Sequence, residues 1–267
     1  MNGLIIILAV IQFLTLTATA ANRPAKPNII LMMADDMGLG DTSAYLGTRL
    51  MENAPPVAKT LRTPNLDAFS NQAMIFTDAH APASMCSSTR YALLTGRFSH
   101  RAYLKNQGWL PHGPNRPMIQ KAMATLPKML QNNGYHTMII GKYHVGGHVG
   151  PETLPENVGF DVNIGGYTQG HQPVCFASKS AQGGWGFRGL GRGHLDRFSE
   201  PYDVDYLRQH DFPVTLAGSP KHISDAVADA MEETVKAFSA KHQPFYVQVH
   251  PYAVHGPVRS RPDLQAA

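Results

Sequence analysis

Residues 28–34 read NIILMMA and run without a break into Asp35-Asp36. A strand with one face in water alternates apolar and polar side chains. This run does not, so the sequence predicts a strand buried on both faces, as in a parallel sheet covered by helices. Outward from it the same grammar recurs. Thr63-Pro64 opens a short helix through Gln72 with Leu66 and Phe69 on one face, and Met74 to Thr77 follows as a further strand. Leu126 to Asn133 is helical and stops at Gly134, which supplies the positive φ of a C-terminal cap. Tyr135 to Ile140 is then a strand that feeds Gly141-Lys142-Tyr143-His144. Within residues 221–239 the apolar positions Ile223, Ala226, Val227, Ala230, Met231, Val235 and Phe238 keep the 3.6-residue period, with Ser219-Pro220 as cap and first-turn proline. Phe245 to Val249 is a strand leading to His250 and His255. Alternation of strand and helix predicts an α/β fold, a mostly parallel sheet sandwiched by helices, and right-handed crossovers gather the strand C-termini on one edge.

Composition sets the outer bounds. The chain has 267 residues, 43% hydrophobic and 16% charged, with 24 Gly and 20 Pro. That excludes a disordered tail, a coiled coil and a collagen-like fibre, and suits one large core with long loops. Two cysteines make at most one bridge. Residues 1–22 contain no Lys, Arg, Asp or Glu; an apolar stretch from Leu4 to Leu16 is followed by Ala18-Thr19-Ala20. This predicts a signal peptide over 1–20 cut before Ala21, hence a secreted or periplasmic protein. No second run is long enough to span a bilayer, so no stable membrane span is expected after cleavage. A net charge of +4 with scattered Lys and Arg argues against nucleic-acid binding. Residues 145–220, with text such as GGYTQG and GGWGFRGLGRG, show little periodicity and are expected to be a loop-rich insert near the active edge. Trp185, Arg188 and Arg192 lie within it as candidates to line a polysaccharide cleft or simply to stack on the domain.

Ligands of open α/β sheets collect beyond the carboxyl ends of the strands. Three such ends carry unusual groups: Asp35-Asp36, Lys142 with His144, and His250 through His255. Asp35 and Asp36 either cap a loop or, as adjacent repelling carboxylates, hold a hard divalent cation. The stretch ASMCSSTRYALLTGR at 83–97 places Cys86 where a helix is expected to start at Ser87 or Ser88, with Arg90 on the same face. Cys86 is thus either a buried structural thiol or a group at the anion-favouring end of a helix. Lys142 and His144, two apart, combine a cation with an acid–base group. His255 before Gly256-Pro257 is a candidate proton donor, while a lone histidine such as His250 is by default structural. Zincin, paired-thiol and nucleotide-loop motifs are missing from the sequence.

Taken together, PNIILMMADDMGLGD at 27–41, CSSTRYALLTGR at 86–97, LPKMLQNNGYHTMIIGKYHVG at 126–146 and PFYVQVHPYAVHGP at 244–257 resemble the sulfatase family of the alkaline-phosphatase-like superfamily. The resemblance implies a sulfuric ester hydrolase of the arylsulfatase type. Cys86 would be converted to formylglycine by a dedicated maturation system, and its hydrate would supply the nucleophilic hydroxyl. Asp35, Asp36 and the modified residue 86 would hold a Ca2+ ion, with Mg2+ the lesser candidate. Arg90 would stabilise the hydrate and Lys142 would bridge it to the sulfate oxygens. His144 would help expel sulfate, and His255 would help protonate the leaving alcohol. The substrate would be a sulfate monoester, with a sulfated polysaccharide as one candidate. Two features depart from the family pattern. Ser88 stands where Pro or Ala is usual, and the chain stops ten residues after Pro257, before the Asp-Asn pair and second Lys of the family. The expectation is therefore the N-terminal portion of a catalytic domain over 23–267, a fragment with two of four metal ligands, weakly active or inactive by itself. The alternatives are a non-catalytic fragment or binder of sulfated ligands, and a superfamily phosphatase or phosphodiesterase.

Overall fold

The computed structural model describes residues 26–101, 118–146, 153–166, 175–177 and 198–265. The signal-peptide expectation and the residues Trp185, Arg188 and Arg192 lie outside them, as do residues 147–152, 167–174 and 178–197 of the loop-rich insert. The central sheet has four parallel strands in the order β1 (Ile29–Met32), β6 (Phe245–His250), β2 (His136–Gly141) and β3 (Val162–Ile164). A short antiparallel pair, β4 (Phe176–Ala177) and β5 (Lys221–His222), stands apart. The helices are α1 (Pro64–Ser70), α2 (Cys86–Thr95), α3 (Leu126–Asn132), α4 (Val204–Gln209) and α5 (Ile223–Ser239).

Strand side chains alternate between two cores. Met138, Ile140, Val247 and Val249 meet Ile223, Val227, Ala230 and Phe238 of α5 on one face. Ile139 and Tyr246 meet Tyr91 and Leu94 of α2, with Leu126 and Leu130 of α3, on the other. Burial of each such side chain contributes roughly 1.5–3 kcal/mol, and the two layers together fix the register. The helical period of α5 is satisfied as the sequence predicts. Its start differs: His222, not Ser219, is the cap, and its ring Nδ1 accepts the amide of Ser224 at 3.2 Å. Residues 221–222 are committed to β4, which delays the helix by two positions.

Two further expectations are corrected. β1 is covered on one face only, and there only in part. Ile29 and Leu31 pack toward α2 and α3, but Ile30 and Met32 are 45% and 60% exposed. Ile30 lies beside Val247 on the α5 side of the sheet, and α5 packs chiefly on β2 and β6. Met74 to Thr77 forms no strand; it is irregular, with Met74 and Phe76 largely exposed. Apolar text written for a covered surface is therefore uncovered among the described residues.

Candidate active site

All three long strands run the same way, so their C-terminal ends deliver Asp35, Lys142 and His250 to one edge, as the alternation predicts. Two backbone bonds lock the first end to the last: Asp35 N–H donates to Ala253 O at 2.9 Å and Val254 N–H to Asp35 O at 2.7 Å. The second end is closed by Gly141, which has φ +85 and lies against the His250 carbonyl, while Lys142 N–H donates to that same carbonyl at 2.8 Å. A Cβ at position 141 would fall on that carbonyl. Gly141→Ala is accordingly expected to lower stability by about 2–3 kcal/mol, read as a shift of the urea midpoint, through both strain and overpacking.

Asp35, 3% exposed, is the counter-ion of two cations. Its Oδ1 accepts Arg90 Nη2 at 3.2 Å, and its Oδ2 accepts Lys142 Nζ. Arg90 Nη1 also donates to the Lys142 carbonyl at 2.8 Å. The same carbonyl takes the Nδ1–H of His250 at 3.0 Å. Burial is the main force lowering the pKa values of Arg90 and Lys142, and Asp35 works against it. His250 is pushed down to about 3, by burial first and then by the positive charge of Arg90 and Lys142. It is neutral at physiological pH. The buried centre thus holds two cations against one carboxylate, an electropositive floor suited to an anion.

Cys86 is the first residue of α2, and Gly96 ends that helix with φ +66. The thiol is half-buried, its Sγ 3.3 Å from His144 Nδ1. Asp36 is 57% exposed, with Oδ2 3.7 Å from His255 Nε2. Asp36 and His144 both sit in the left-handed region, at φ +56 and +58. Asp and His tolerate it better than most residues, at a cost of about 1–2 kcal/mol each, and such strain concentrates at functional sites. Asp35, Asp36, Cys86 and Arg90 line one cavity of about 330 Å³ with Met85 and Thr89. Asp35, Asp36, Cys86 and Arg90 line that cavity, Lys142 bonds to Asp35, His144 bonds to Cys86, and His255 stands 3.7 Å from Asp36. Arg90 bonds to Asp35 and to the Lys142 carbonyl.

His250, structural by default from sequence, is buried and supports the Lys142 carbonyl through its Nδ1–H. Its signal lay in the strand register, which sets it opposite Gly141. Cys175 is buried and its Sγ donates to Pro257 O at 2.9 Å, tying down the segment that follows His255. The two aspartates offer the hard oxygen donors that Ca2+ or Mg2+ takes. They suit such an ion as part of a shell only: among the described residues no group of three or more His, Cys, Asp or Glu could hold a metal.

The family model for Sulfatase matches residues 27–267. A sulfatase of Formosa agariphila is 30% identical, over 97% of this chain and 50% of its own length. Arylsulfatase G of Rattus norvegicus is 30% identical, over 94% of this chain and 45% of its own. Among solved structures, Ps i-CgsB superposes with a TM-score of 0.62 at 26% identity, covering 89% of this chain and 47% of that one. It has also been solved in complex with k-i-k-neocarrahexaose. The chain spans about half the length of the curated relatives it matches.

Proposed function

Because the chain belongs to the sulfatase family, we propose that it carries the nucleophile-bearing half of a sulfate monoester hydrolase, dependent on formylglycine at position 86 and on a divalent cation. The supporting observation is the placement of Cys86 at the start of α2, on the wall of the cavity that Asp35 and Asp36 share, with His144 at 3.3 Å.

The Cys86 Sγ stands for the oxygens of an aldehyde hydrate, which would supply the hydroxyl nucleophile, while a Ca2+ ion on Asp35 and Asp36 would neutralise sulfate charge. The remaining work falls to groups already in place. His144 Nδ1 faces the side chain at 86 and is positioned to take its proton. Lys142 and Arg90 bring the positive charge that a sulfuryl oxygen needs, enclosed where that charge acts strongly. His255, held beside Asp36, is the donor for the departing alcohol. The substrate class is a sulfated glycan, a reading supported by the carbohydrate bound to Ps i-CgsB. The charge-free apolar leader at 1–22 supports export, and the protein would meet its formylglycine-generating system on the way.

The test couples mass spectrometry of the Cys86 peptide to sulfate release from an aryl sulfate and from a sulfated oligosaccharide. Release is expected to be slow for this chain, to follow the fraction of aldehyde at 86, and to vanish in Cys86→Ala. Turnover at an ordinary enzymatic rate by Cys86→Ala would defeat the assignment.

A further inference from the structure

The ring of His255 is set by the backbone that follows it. Its Nδ1–H donates to the Gly256 carbonyl at 2.6 Å, which leaves Nε2 as the nitrogen facing Asp36 Oδ2 at 3.7 Å. A tilt of that carbonyl therefore turns the ring. Residues 256–260 are exposed throughout, with Val258 at 71%, so burial gives this strap little hold. Its course depends on specific ties.

Three ties run from the strap to the short antiparallel pair and the first turn of α5. Cys175 Sγ, just before β4, donates to Pro257 O at 2.9 Å. The ring of His222 spans two groups: Nδ1 accepts the Ser224 amide at 3.2 Å, so Nε2 carries the proton and donates to Arg259 O at 2.9 Å. Arg261, largely buried, makes the most contacts. Its Nε and Nη2 donate to the two oxygens of Asp263 at 2.7 and 3.0 Å, and its Nη1 reaches Asp225 Oδ2 at 3.4 Å. The guanidinium carbon also stands 3.5 Å from the centre of the Phe212 ring, a stacking that a planar fork makes and an ammonium does not. Asp225 accepts the Tyr202 hydroxyl as well, and that hydroxyl oxygen accepts His222 N–H at 2.9 Å, so the ties at 259 and 261 meet in one network. None of these groups lines the cavity that holds Cys86.

We propose that Arg261, together with His222, is a positioning residue for His255: by pinning the strap it fixes the Gly256 carbonyl, and through that carbonyl the direction of His255 Nε2. This rests on the role of His255 as donor to the departing alcohol in the proposed function, whereas the anchoring itself is read without turnover.

Hydrogen exchange and tryptic cleavage of the full chain test the anchoring in the wild type, Arg261→Met, Arg261→Lys and His222→Asn. Asparagine keeps a good helix cap but is too short to reach Arg259 O. Trypsin reads the strap at Arg259, because the next arginine is followed by Pro262. The amides of Val254 and His255 bond to Asp35 O and Tyr252 O. In Arg261→Met they are expected to exchange about fivefold or more faster, with cleavage after Arg259 accelerated likewise, while β2 and β6 keep wild-type protection. Arg261→Lys should fall between, since it keeps the charge and loses the fork. Should Arg261→Met lose protection throughout the sheet, His222→Asn decides, with the same local loss expected. Wild-type exchange at 254–255 in a folded variant of either kind overturns the anchoring.

The catalytic consequence is read by leaving group. A nitrophenolate departs without a proton and a sugar alcohol does not, so Arg261→Met should slow sulfate release from a sulfated oligosaccharide about tenfold and from a nitrophenyl sulfate about twofold or less. A general loss of structure would slow both alike. Equal slowing with the strap loosened overturns His255 as the donor and not the anchoring. Absence of release by the wild type counts against the proposed function, and exchange and cleavage then decide the anchoring by themselves.

Discussion

Asp35→Ala is expected to cost about 3–5 kcal/mol. Asp35 is the carboxylate counter-ion shared by Lys142 and Arg90, and all three are buried. Removing it leaves two like charges enclosed without an anion, which is far more costly than losing the pair as a whole. The double variant Asp35→Ala, Lys142→Met should therefore recover part of the loss, with a coupling of about 1–3 kcal/mol. The neighbouring acid supplies the control. Asp36 is 57% exposed and its ion pair with His255 spans 3.7 Å, so Asp36→Ala should cost about 1 kcal/mol or less. Urea unfolding of these four proteins and of Lys142→Met, which closes the cycle, reads these differences directly. Asp35→Ala within 1 kcal/mol of the wild type would mean that the buried charges are not coupled as the distances indicate.

The same triad shows where sequence reading stops. The sheet was legible because apolar runs and a 3.6-residue period are local properties: β2, β6 and α5 fall where the text places them. From parallel strands it also followed that Asp35, Lys142 and the residues after Val249 share an edge. What each side chain bonds to was not legible, because Asp35 and Lys142 stand 107 residues apart and nothing local records the contact. His250 illustrates the limit more sharply. Its position at a strand end was visible, but its task depends on Gly141 lying opposite, which only the register reveals. The open face of β1 was missed for a different reason. NIILMMA announces burial on both sides, and apolar composition reports what a surface is suited to meet rather than what meets it. Met74 to Thr77 fails likewise, since strand-forming residues become a strand only beside a partner.

Stability of the chain should fall on mild acidification, and His250 supplies the reason. In the folded state this ring titrates near 3, against an ordinary value of 6.5. Above the ordinary value the ring is neutral whether the chain is folded or not, and its contribution is complete. As pH drops below it, the unfolded chain takes up a proton that the folded chain refuses, and stability declines by about 1.4 kcal/mol per pH unit. The loss continues until the folded ring itself titrates. The window just below neutrality isolates the effect, because carboxylates ionise mostly at lower pH. His250→Asn is the informative comparison: its amide can replace the Nδ1–H that supports the Lys142 carbonyl, yet it carries no titrating group. Urea unfolding at about pH 7 and about pH 5.5 should show a loss of roughly 1–1.5 kcal/mol in the wild type and a much smaller one in the variant. An identical slope in both proteins would assign the acid sensitivity elsewhere. The direction matters for the site as well. Protonated His250 would set a third cation beside Arg90 and Lys142, both already short of counter-charge, so acid weakens the same cluster that presents Lys142 to an anion.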